Sequence, residues 1–188
     1  NIPPFYQIRF YDGIMRAYTL TRAEDPDAVV AWAVKIGALT GEEDLANGIR
    51  IGLQEGYGDN MTYAIGIASR YPLSSHPQLF EELGWRVGDE NELSAGLWER
   101  LMADTSTPAK CSFAEGMVRG RALLLMADAI PWWQPVSVFR EELPMKCHGY
   151  IDSGIAEAIL ISVGHNPVLR SDEIGRITNL KVKAAVQS

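Results

Sequence analysis

The chain has 188 residues, 47% of them hydrophobic and 22% charged, and a formal charge of −7. These values describe an ordinary globular polypeptide and exclude fibrous, collagen-like and wholly disordered classes. No apolar run approaches the roughly 18 residues needed to span a bilayer, and the first ten residues lack the basic-then-apolar order of a signal peptide, so no membrane insertion and a cytoplasmic location are expected. Two cysteines, Cys111 and Cys147, are too few for a disulfide framework and fit a reducing compartment.

The charge is unevenly spread. Residues 1–94 hold 7 Lys and Arg against 14 Asp and Glu, whereas residues 95–188 hold 10 against 10. The first half repels phosphate at long range, which argues against a general DNA-coating role and leaves the second half as the place for any polyanion.

In chain order, Phe5–Tyr11 and Ile14–Leu20 are aromatic and β-branched runs around Asp12-Gly13, the signature of a β-hairpin. Asp25-Pro26 opens a helix with Val29, Trp32, Ile36 and Leu39 on one stripe, and Thr40-Gly41-Glu42-Glu43 opens a second with Leu45, Ile49 and Leu53. The cluster Gly56 to Asn60 reads as a turn. Tyr63, Ile65 and Ile67 alternate as in a strand, a short helix leads from His76-Pro77 to about Gly84, and Glu90 to Asp104 forms a helix on Leu93, Leu97 and Leu101.

Thr105 to Pro108 breaks the pattern and divides the chain into an acidic region 1–104 and a second region 105–188. The second region reads as strand (Lys110 to Ala114), helix (Met117 to Ala129), strands (Pro135 to Phe139 and Met145 to Ile151), helix (Ser153 to Val163) and strand (Asn179 to Val186). The expected fold class is therefore α+β, a mixed sheet with flanking helices behind an N-terminal β-hairpin and helical region.

Gly116-Met117-Val118-Arg119-Gly120-Arg121-Ala122 falls at the expected strand-to-helix turn. There its backbone amides and two arginines would gather at a helix N-terminus, an anion site in outline. Arginines in a first turn oppose the helix dipole by very roughly 0.3–1 kcal/mol each. A bound phosphate would offset this, and so would Glu115 acting as an internal partner.

The segment resembles the arginine box of the ParB/sulfiredoxin superfamily, G-E-R-R-x-R-A, in keeping Gly116, Arg119, Arg121 and Ala122 at the same spacing. Ala127-Asp128 and Pro135-Val136 continue the likeness at the helix end and the next strand. The resemblance implies a ParB/sulfiredoxin-like fold with ATP phosphates held by Gly116, Arg119, Gly120 and Arg121. Catalysis would fall to Glu115, Arg119 and Arg121, with Glu115 also holding Mg²⁺.

An acidic chain of this size without a ParB helix-turn-helix is similar to plasmid fertility inhibition factors within that superfamily. The likeness implies ATPase and DNase activity that blocks DNA transfer by another conjugative system, with ATP, DNA and a conjugative coupling protein or other transfer machinery as partners. The family's glutamate and first arginine fall on Met117 and Val118, so phosphate binding is implied more directly than hydrolysis, and Glu115 stands in for the acid. No cysteine lies between Ser112 and Ala122, which removes sulfinic acid reduction.

Other residues carry weaker signals. Cys147 and His148 are neighbours on an expected strand and point to opposite faces, so they do not pair as nucleophile and base, and with Cys111 and His165 they lack zinc spacing. Asp128, Glu141 and Glu142 are further carboxylates near the box, and Trp132-Trp133 suits base stacking, a core or an interface. The rival to the nucleotide-dependent enzyme is a non-catalytic acidic protein that docks on a basic transfer-machinery or DNA-handling partner.

Overall fold

The computed structural model describes residues 4–22, 25–37, 60–70 and 76–163. Among the described residues every regular element is helical, which overturns the expected α+β mixed sheet. The elements are α1 (Pro4–Thr21), α2 (Pro26–Gly37), α3 (Met61–Ala68), α4 (His76–Glu90), α5 (Ala95–Met102), α6 (Thr107–Ala127), α7 (Trp133–Glu142), a 3₁₀ turn (Met145–Cys147) and α8 (His148–Val163). The chain divides into two compact units, Asn1–Glu82 and Leu83–Ser188.

In the first unit the expected hairpin is a single helix. Met15 and Thr19 are fully buried four residues apart, a helical stripe that outweighs the Asp12-Gly13 turn signal. Tyr18 meets Trp32 of α2 with ring centroids 5.1 Å apart and planes tilted by 54°. Helix α2 starts as its sequence predicts, with the Ala28 amide donating to Asp25 Oδ1 at 3.0 Å.

The expected strand at Met61 is α3. Asn60 caps it by accepting from the Tyr63 amide at 3.2 Å, and Ala64, Ile65, Ile67 and Ala68 are buried. The alternation of Tyr63, Ile65 and Ile67 is too short to separate a strand from a buried helix, and the cap decides. The second expected helix, at 40–53, and the last expected strand, at 179–186, lie outside the described residues.

Helix α4 does not stop near Gly84. It continues to Glu90 because Gly84 and Gly88, one turn apart, are contact points and not breaks. A Cβ on Gly84 would collide with the Phe113 carbonyl, and one on Gly88 with the Met117 carbonyl. Gly120 of α6 answers from the other side, where a Cβ would strike the Trp85 carbonyl. Helices α4 and α6 thus meet backbone to backbone, which glycine alone permits.

The expected Glu90–Asp104 helix begins later, at Ala95, where Ser94 accepts from the Leu97 amide at 3.3 Å. Its buried side chains are Trp98 and Met102, not the leucine series. The Trp98 indole N–H donates to the Lys110 carbonyl at 2.9 Å and ties α5 to α6. Thr105 to Pro108 lies within the second unit, with Ser106 as N-cap and Pro108 in the first turn of α6, a position where its missing N–H costs nothing.

The expected strand at Lys110 to Ala114 and helix at Met117 to Ala129 are both part of α6. Phe113, Ala114, Met117, Val118 and Ala122 are fully buried on several of its faces. A helix buried nearly all round has no amphipathic stripe, and its contiguous apolar letters mimic a central strand. It ends in a Schellman motif: Ala129 takes φ 55°, its amide donates to Met126 at 3.2 Å, and the Ile130 amide donates to Leu125 at 2.8 Å.

The expected strands at Pro135 and Met145 are α7 and the 3₁₀ turn that runs into α8, while the expected helix from Ser153 is the body of α8. Val136 and Phe139 are the buried face of α7, and Arg140 forms a two-pronged pair with Asp152 of α8 at 2.8 and 3.1 Å. Cys111 and Cys147, too few for a disulfide framework, are nevertheless joined in a single disulfide.

Two substitutions separate these roles. Gly13 is exposed and a Cβ there would touch nothing, so Gly13→Ala should stabilise the protein by about 0.5–1 kcal/mol, where a hairpin turn would be weakened. Gly88→Ala should cost at least about 2 kcal/mol, because the colliding partner is backbone. Urea unfolding of the two variants measures both.

Candidate functional site

The arginine box does not lie at a strand-to-helix turn. Gly116 to Arg121 occupies the middle of α6, nine residues and more beyond its first residue, Thr107. In a helix interior each amide donates to the carbonyl four residues earlier, so the amides expected to cradle phosphate are engaged in the helix itself. Gly116 and Gly120 are buried, and Gly120 serves helix packing against Trp85 of α4.

The chemistry that remains follows from spacing. Glu115 and Arg119 are four apart on α6, and Ser153 and Glu157 are four apart on α8, so consecutive turns of one helix face consecutive turns of the other. Gly154 lets this happen: a Cβ there would press on the Glu115 carbonyl. Arg119 Nη1 donates to Glu157 Oε2 at 2.8 Å, with the arginine side chain only 9% exposed and the glutamate 45%. The Arg119 guanidinium also lies 4.4 Å from the ring centre of Trp85 on α4, a cation–π contact.

Arg119 is therefore held by a carboxylate on one helix and an aromatic face on another. A buried guanidinium needs this, since an uncompensated charge in the interior costs several kcal/mol. Its positive charge is committed before any ligand arrives. Arg121, two residues on and so turned away from Arg119 on α6, is half-buried.

Glu115 is half-buried between the two helices. Burial raises its pKa above the ordinary value of 4.5, and the neighbouring Glu157 carboxylate raises it further. A hydrogen bond with the Ser153 side chain and the charge of Arg119 act in the opposite sense. Carboxylate oxygens of Glu115 and Glu157 come within 4.8 Å of each other, and among the described residues of the second unit these two acids are close enough to share a hard cation such as Mg²⁺.

The other candidates are dispersed. Asp128, Glu141 and Glu142 are exposed and the structure does not gather them at Glu115. Trp132 is 2% exposed and belongs to the core, while Trp133 is 42% exposed. The His148 ring contacts the Leu143 carbonyl through Nε2 at 3.1 Å, a local tie at the start of α8. Sequence reasoning missed Trp85, Ser153 and Glu157. The signal available was the four-residue spacing of Gly84 and Gly88, which marks a close-packed helix.

Because the pKa of Glu115 is raised in the folded state, its stabilising contribution is complete below about pH 4.5 and is lost as pH rises through the folded value. Unfolding free energies of wild type and Glu115→Gln, measured from pH 4 upward, should therefore shift in favour of the variant as pH increases. Glu157→Gln should cost about 1–2 kcal/mol, less than for a fully buried pair because solvent screens its exposed side. Comparison with protein family models, curated proteins and solved structures finds no match to this chain.

Proposed function

We propose that this chain is a non-catalytic, acidic helical interaction protein that docks on a basic surface of a partner, of the kind that handles or transfers DNA. One observation carries this reading: Arg119, one of the two arginines expected to hold phosphate, is buried against Glu157 and Trp85. The helix-interior position of Gly116 and Gly120 supports it, since their amides have no free direction to offer a nucleotide.

Charge supports the choice of partner. Residues 1–82, the first unit, hold 6 Lys and Arg against 11 Asp and Glu. Such an excess attracts a basic surface, speeds encounter with it and repels nucleic acid. A coupling protein of a conjugative system, implied by the superfamily resemblance, is one partner with the required DNA-handling role.

A second reading, a hydrolase, is favoured by the raised pKa of Glu115 beside Ser153 and Glu157. A carboxyl poised to hold its proton next to a second carboxylate is the arrangement that general acid–base chemistry uses. On this reading Glu115 and Glu157 would hold Mg²⁺ for hydrolysis of ATP or a DNA phosphodiester.

The two readings part in solution. Binding to the soluble domain of a coupling protein, followed by calorimetry, should weaken at least severalfold as salt rises from about 0.05 to about 0.3 M and survive Arg121→Ala. Saturable ATP binding, or Mg²⁺-dependent ATP or DNA hydrolysis lost in Glu115→Gln, would overturn the interaction reading in favour of the enzyme.

A further inference from the structure

Cys111 and Cys147, the two cysteines of the chain, are joined across 36 residues of sequence. Cys111 lies in the second turn of α6 and Cys147 closes the 3₁₀ turn from which α8 grows. Their exposures are 1% and 0%, so neither sulfur faces solvent once α8 has packed on α6. The bond lies one helical turn before Glu115 and at the root of the helix that carries Ser153 and Glu157.

Burial decides what kind of disulfide this is. Thiol–disulfide exchange needs a thiolate to reach a sulfur in line, and labile or regulatory disulfides are exposed ones. A cystine without solvent contact is formed while the helices are still apart and is shielded afterwards. From this we infer that the native second unit is an oxidised state, completed by thiol–disulfide exchange with a disulfide oxidant before α8 packs, with Cys111–Cys147 as a permanent staple that sets α8 against α6.

The chemistry is balanced by a disulfide oxidant such as glutathione disulfide. The thiolate of one cysteine attacks a sulfur of the oxidant, forming a mixed disulfide and releasing one thiol. The second cysteine then attacks the protein sulfur of that mixed disulfide and releases the other. Two protein thiols lose two protons and two electrons, and the oxidant leaves as two thiols.

The test uses the full chain refolded with glutathione and glutathione disulfide. The intact mass should be lower than that of the dithiol by two hydrogen atoms, and the bond should survive dithiothreitol in native buffer yet break in denaturant. Reduction in denaturant followed by refolding under reductant should lower the melting temperature by roughly 5–15 °C, to the level of the Cys111→Ser/Cys147→Ser double variant. Two free thiols after denaturation without reductant, ready reduction of the native protein, or equal melting temperatures for oxidised and reduced wild type would each overturn the inference. None of these outcomes depends on the partner or substrate of the protein.

Discussion

The second unit depends on one steric constraint, the approach of α4 to α6 at a distance where no side chain fits between them. Gly84 and Gly88 of α4 face carbonyls of α6, and Gly120 of α6 faces a carbonyl of α4. With the two backbones in contact, Trp85 has to pass beside α6 one residue from Gly120, which is where Arg119 meets its ring. Gly154 repeats the device between α8 and α6 and brings Glu157 to the same guanidinium. Three helices are thus gathered on one arginine because four glycines remove the atoms that would keep them apart.

Electrostatics completes what sterics begins. Close packing places Arg119 in the interior, and an interior cation is tolerated only with a charge or quadrupole beside it. Glu157 and Trp85 supply both. The same packing leaves Glu115 half out of water, so its carboxyl holds its proton more tightly than an exposed glutamate does. The polar cluster is accordingly part of the packing, and its arginine is occupied by the protein before it could serve a phosphate.

Charge and fold then point the same way. Residues 1–82 hold more acids than bases, and Arg119 of the second unit is buried in a pair. No helix among the described residues is long and apolar enough to cross a membrane. Among the described residues the second unit exposes the apolar side chains of Met145 and Val138.

Local signals with their own chemistry were legible in the sequence: Asp25-Pro26 as a helix start, and the uneven charge. Each is a matter of one residue's side chain acting on backbone two or three positions away, or of a count, and neither needs the rest of the molecule. The interior of the fold was not legible. Residues 110–118 are apolar without period because α6 is covered on several sides, and Gly84 reads as a helix stop because its packing role belongs to Phe113, distant in sequence. The box around Arg119 has the letters of a phosphate loop, and only the tertiary structure assigned those letters to helix contact, because whether a glycine ends a helix or admits another is decided by what lies opposite its missing Cβ.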